Sequence, residues 1–139
     1  MRLLAWIFAV VALAACAPSS AGPELSAPEA HQRAQAGQLR IVDIRRPEEW
    51  RQTGVAQGAA RIDMRRPDFA QAVLQAVNGN PDAPIGIICR TGNRTTQIQK
   101  AMRDAGFTQV YNIREGMAGS DAGPGWLRRQ LPVESCARC

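Results

Sequence analysis

Cys89 closes the apolar run Ile85-Gly86-Ile87-Ile88, and four residues, Arg90-Thr91-Gly92-Asn93, separate it from Arg94. The residues from Thr95 to Gly106 read as a helix, with Ile98, Ala101, Met102 and Ala105 on one stripe and Gly106 as the cap. A thiol where a strand hands over to a helix is a candidate nucleophile. Sites in open parallel sheets lie at the carboxyl ends of strands, and a helix N-terminus favours negative charge. Arg90 and Arg94 add full positive charges, and each of these features favours the thiolate, the form that attacks. Gly92 permits a tight turn, so the amides of the loop, from Arg90 through Thr91, Gly92, Asn93 and Arg94 to Thr95, can converge on an anion. A cysteine also packs well as a small apolar group at a strand end. The loop alone leaves both readings open.

The other cysteines narrow the choice. MRLLAWIFAVVALAAC carries one charge, Arg2, then an apolar run from Leu3 to Leu13. That run is short of the roughly 20 residues that span a bilayer and fits a secretory leader. Leu13-Ala14-Ala15-Cys16 resembles a bacterial lipobox, in which Cys16 is lipidated and becomes the new N-terminus. The expected location is therefore the periplasm or cell envelope, with the membrane engaged through a lipid anchor only. Cys136 and Cys139 form a terminal C-x-x-C. In an exported protein its default is a disulfide, with a redox relay to Cys89 or metal binding as the alternatives. Cys89 is then the cysteine without another assignment.

The elements that would position it follow in order. Residues 1–15 read as the leader and 16–25 as a Pro/Ser/Gly-rich flexible tether. The folded domain spans 26–134, and 135–139 form the C-x-x-C tail. Ser26-Ala27-Pro28-Glu29 reads as a capping box opening a helix that ends near Gly37. Leu39 to Ile44 reads as a buried parallel strand, PEEWRQT as a brief helix from Pro47, and 57–63 as a short strand. From Pro67 a helix places Phe69, Val73, Leu74 and Val77 on one face. Ile85–Cys89 and Val110–Ile113 are further strands, and Trp126 and Leu127 mark a last helix. Alternating strands and helices predict an α/β domain with a largely parallel sheet and helices on both faces. The net charge of +5 comes almost wholly from scattered arginines with little aromatic interleaving, which argues against nucleic-acid binding.

Three segments in order then resemble one family. CRTGNRTTQIQKAMRDAGFTQVYNIREGM is similar to the active-site loop, helix and following strand of the rhodanese sulfurtransferases. IVDIRRPEEWRQTGVAQGAARIDM resembles that family's first motif, and GWLRRQLPVE its C-terminal Trp and Leu-Pro-Val. The resemblance implies a five-stranded, mostly parallel sheet. The four-residue gap from Cys89 to Arg94 differs from the five residues of the tyrosine phosphatases and arsenate reductases, and in the rhodaneses goes with sulfur substrates. The implied reaction is two-step covalent catalysis. Cys89 would take the sulfane sulfur of a small anion such as thiosulfate as a persulfide and pass it to a thiol or protein acceptor, with no metal or organic cofactor. The alternative is a non-turnover persulfide carrier or envelope binding module working with a partner protein. Asp43 and Arg45 match the family motif and read as support for the sheet end. The lone His31 lies outside the motifs, Val55 stands where the family often has histidine, and Glu115-Gly116 replaces the usual Gly-Gly.

Overall fold

Side chains along the central strands alternate between two cores, and this sorts the molecule into layers. The computed structural model describes residues 21–139; the leader assignment and Cys16 lie outside the described residues. Strand β1 (Arg40–Asp43) points Val42 to one face and Ile41 to the other, and β4 (Ile85–Ile88) likewise divides Ile85 and Ile87 from Ile88. Both strands are flanked by neighbours on either side and covered on both faces, hence their continuous apolar runs. Each of these buried aliphatic side chains contributes on the order of 1.5–3 kcal/mol.

The parallel sheet runs β3-β1-β4-β5, with β3 at Ala60–Arg61 and β5 at Val110–Asn112. One face is covered by α3 (Phe69–Ala76) and α4 (Asn93–Asp104), whose Val73 and Met102 pack on Val42, Ile44, Ile85, Ile87 and Cys89. The other face carries α1 (Ala27–Gln35) and α5 (Gly125–Arg128), whose Ala27, Ala30 and Trp126 pack on Ile41 and Ile88. Trp126 is fully enclosed there, with His31 edge-on at 5.6 Å. Among the described residues, no helix is long and apolar enough to cross a membrane.

The α/β architecture agrees with the expectation from sequence, while the strand count differs. Four strands pair in the main sheet rather than five; the edge beyond β5 is taken by 23–25, the end of the stretch read as a tether. There Asn112 N–H donates to Pro23 O at 2.9 Å and Leu25 N–H to Asn112 O at 3.0 Å. The strand read at 57–63 is shorter, and Val55–Ala56 (β2) leaves the sheet to pair antiparallel with Val133–Glu134 (β6). Gly54, at φ 74°, makes the turn from α2 (Pro47–Thr53) into β2. The capping box of α1 forms as read, with Glu29 N–H on the Ser26 hydroxyl and Ser26 N–H on the Glu29 carboxylate.

Candidate active site

Cys89 follows β4 on the α3/α4 face, in phase with Ile85 and Ile87, and is 1% exposed. Its chain then turns through Arg90 and Thr91 to Gly92, the N-cap of α4. Gly92 sits at φ 84°, and a Cβ there would collide with the carbonyl of Arg114. Only glycine meets both demands without strain. The turn brings the Gly92 N–H to 3.1 Å from Cys89 Sγ. The Thr95 hydroxyl lies 3.6 Å from the same sulfur and donates to Gly92 O at 2.9 Å. Thr96 N–H bonds back to Gly92 O at 3.2 Å, so the amides of Asn93, Arg94 and Thr95 precede the helical ladder. No acidic residue occupies the first turn of α4. The helix end therefore keeps its attraction for an anion at the sulfur.

A second loop braces the first. Met117 N–H donates to Cys89 O and Ala118 N–H to Arg90 O, each at 2.9 Å. Gly116, at φ 69°, presses so close that a Cβ would strike the Arg90 carbonyl. Beneath it Glu115 is 1% exposed and holds three donors: Ala27 N–H at 2.7 Å, Gly125 N–H at 2.8 Å and Arg129 Nε at 2.8 Å. Burial opposes its ionisation, but Arg129 and the two amides outweigh that and hold the carboxyl below its usual value. Glu115 thus ties the starts of α1 and α5 to the loop behind Cys89.

The two loop arginines have different surroundings. Arg94 donates from Nη1 and Nη2 to Glu49 at 2.8 and 2.6 Å. Glu49 also accepts the Arg46 N–H at 3.0 Å, capping α2. The Arg94 guanidinium, joined by the Arg46 amide, overcomes partial burial and lowers the Glu49 carboxyl from 4.5 to about 2. Arg90 is exposed and lines a cavity of about 300 Å³ with Glu49, Gln52, Thr53, Met117, Ala118 and Leu127. Arg45 forms the cavity floor. It is clasped by Asp43 (Nε–Oδ1 3.0 Å, Nη2–Oδ2 2.8 Å) and donates to Thr53 Oγ1 and Gly54 O, each at 2.9 Å. Asp43 and Arg45 are both buried, and the pair fixes α2 to the end of β1.

The structure therefore gathers Cys89 and the residues from Arg90 to Thr95 at one sheet end, with Asp43 and Arg45 beneath. Cys136 and Cys139 are paired with each other against Trp50 and Val55, on the other side of α2. Sequence reasoning missed Glu49 as the partner of Arg94, although the Pro-Glu-Glu motif contained it, and marked Glu115 only as a departure from the usual Gly-Gly, without its bracing role. No local pattern signals a carboxylate whose three partners lie in distant segments.

Comparisons with known proteins agree with this fold. A family model described as a rhodanese-like domain matches residues 26–121. An uncharacterized protein of Rickettsia rickettsii is 30% identical over 98 residues, covering 66% of this chain and 80% of that protein. The solution structure of a polysulfide-sulfur transferase homodimer from Wolinella succinogenes aligns with a TM-score of 0.60 at 22% identity, over 81% of this chain and 77% of that one. An EanB variant in complex with ergothioneine covalently linked with a persulfide cysteine gives 0.62 at 13% identity, over 81% of this chain and 28% of that one. At such identities the structural likenesses speak for the fold.

Proposed function

The chain belongs to the rhodanese-like domain family, and from that premise we propose that it transfers sulfane sulfur through a persulfide on Cys89. The observation that carries the reading is the cradle around that sulfur. A glycine amide sits at 3.1 Å, a threonine hydroxyl at 3.6 Å, and a helix N-terminus without acidic residues lies behind them. A donor such as thiosulfate enters the cavity lined by Arg90. The Cys89 thiolate attacks its outer sulfur, the S–S bond of the donor breaks, and sulfite leaves with the bonding pair. The persulfide anion on Cys89 is stabilised by the loop amides, which meet charge better there than bulk water would. A thiol acceptor then attacks the outer sulfur and restores the thiolate. Sulfur-handling relatives of this fold, the polysulfide-sulfur transferase and the persulfide-linked EanB variant, support the reading.

The test is thiosulfate:cyanide sulfur transfer with intact mass after thiosulfate alone. Wild-type protein should turn over and gain the mass of one sulfur, and Cys89→Ser should do neither while remaining folded. Retained transfer in that variant would sink the proposal. One observation favours a carrier loaded by a partner protein instead. With Arg94 engaged by Glu49, Arg90 is the exposed arginine lining the cavity for a small dianion. Sulfur uptake from a protein persulfide without turnover on thiosulfate would select that alternative. The leader and Cys16 lipobox extend the proposal to an envelope location by lipid anchor, which the intact mass of the native protein also reads.

A further inference from the structure

Cys136 and Cys139, bonded to one another, lie apart from the sulfur-transfer site. Arg61 at the end of β3 faces the tail, Cys89 follows β4, and β1 runs between them. Two strand spacings, about 10 Å, thus separate the two positions across the sheet. Helix α2 divides them as well: Trp50 lines the tail side, while Glu49, Gln52 and Thr53 line the cavity that Arg90 of the cysteine loop also lines.

The pair is equipped for more than closing a turn. Arg61 Nη1 lies 2.6 Å from Cys136 Sγ and 2.8 Å from Cys139 Sγ, a cation over both sulfurs. The disulfide forms part of the wall of a cavity of about 580 Å³, shared with Trp50, Arg61 and Arg138. Cys136 is buried against Trp50 and Val55, whereas Cys139 is only half-buried. Both residues line the cavity, and Cys139 is the more accessible of the two. The bond encloses just Ala137 and Arg138, and so short a loop constrains the unfolded chain little. The tail has other anchors: β6 pairs with β2, the Glu134 carboxylate accepts the Gly58 N–H at 2.9 Å, and Arg51 holds the Cys139 carbonyl.

We infer that Cys136–Cys139 is a second, redox-active site that exchanges with dithiols. In the reducing direction one thiolate of a dithiol attacks Cys139 Sγ through the cavity. The Cys136–Cys139 bond breaks, and Cys136 leaves as a thiolate facing Arg61. The dithiol's second sulfur then attacks its own partner sulfur in the mixed disulfide. Cys139 departs as a thiolate and the dithiol leaves as a cyclic or internal disulfide. Two electrons pass to the cysteine pair, and the two protons lost by the dithiol go to those thiolates or to solvent. Arg61 favours the step by stabilising the leaving thiolate. The inference does not depend on sulfur transfer at Cys89.

The experiment treats the full folded chain with dithiothreitol, quenches with an alkylating reagent and locates the label by peptide mass. Cys136 and Cys139 should be labelled without denaturant, and Arg61→Gln should slow the labelling about tenfold, with Arg61→Lys recovering most of it. Labelling only after unfolding, or an unchanged rate in folded Arg61→Gln, overturns the site. Single variants give an independent reading through the rate of mixed-disulfide formation with an aromatic disulfide. Cys136→Ser, which leaves Cys139, should react about tenfold faster than Cys139→Ser, which leaves the buried Cys136. Equal rates would also overturn the site. Sulfur transfer by the same variants should match wild type.

Discussion

Arg94 gives two guanidinium nitrogens to Glu49, whereas Arg90 stands exposed on the wall of the cavity between the cysteine loop and α2. This division predicts different kinetic signatures for residues four apart in one loop. Arg90→Gln should raise the KM for an anionic donor about tenfold with kcat little changed, because it removes binding felt equally by ground and transition states. Arg94→Gln should instead lower kcat, since Glu49 would no longer hold the loop to α2. Steady-state thiosulfate:cyanide kinetics separate the two, and matching profiles would refute the division. The same ion pair makes a pH prediction. The Glu49 carboxyl titrates at about 2 in the fold against an ordinary 4.5. A depressed carboxylate stabilises the fold fully above its unfolded value and loses that contribution as pH falls toward its folded value. Glu49→Gln should therefore be less stable than wild type at neutral pH, and the gap should close between about pH 4.5 and about pH 2. Urea midpoints measured across that window check it; a constant gap would show that the pair contributes nothing.

At the scale of elements, the cysteine loop is held from behind as much as it is shaped from within. Met117 and Ala118 clamp the carbonyls of Cys89 and Arg90, and Gly116 allows the close approach. Gly116→Ala combines a positive φ with a collision against the Arg90 carbonyl, so it should cost about 2 kcal/mol or more. Activity should fall further than stability implies, because relief of the clash must displace the loop that carries Cys89. Glu115→Gln tests the support one layer down. It leaves Arg129 facing a neutral group and one of two buried amides facing the wrong end of the amide side chain, a loss of about 2–3 kcal/mol. Chemical unfolding gives the first quantity and transfer assays on the folded fraction give the second. If both variants keep wild-type stability, the bracing is not what holds the loop.

Across the whole molecule, what was legible in the sequence was whatever depends on local spacing. The helix from Pro47 to Thr53, the capping box at Ser26 and the strand read over Ile85–Cys89, which ends one residue earlier at Ile88, follow from turn chemistry and hydrophobic period. The departures are long-range. Val55–Ala56 pairs with Val133–Glu134, and 23–25 runs beside β5, because backbone pairing at a sheet edge needs little side-chain pattern. Glu49 was in plain view, but its pairing with Arg94 required the fold. These long-range contacts make the C-terminus a clasp, with separable parts. Removing 135–139 deletes the disulfide and its contact with Trp50 but keeps β6 and the Trp126 indole bond to Pro132 O at 2.9 Å. Removing 132–139 also strips β2 of its partner and leaves the Trp126 N–H buried without its acceptor, adding about 2–4 kcal/mol of destabilisation by lost hydrogen bonds alone. The shorter deletion should keep sulfur transfer, since the tail lies across α2 from Cys89. The longer one should lower the unfolding midpoint sharply and loosen α5, whose Leu127 lines the cavity beside the cysteine loop. Equal midpoints for the two truncations would mean that β6 is carried by the disulfide rather than by its pairing with β2.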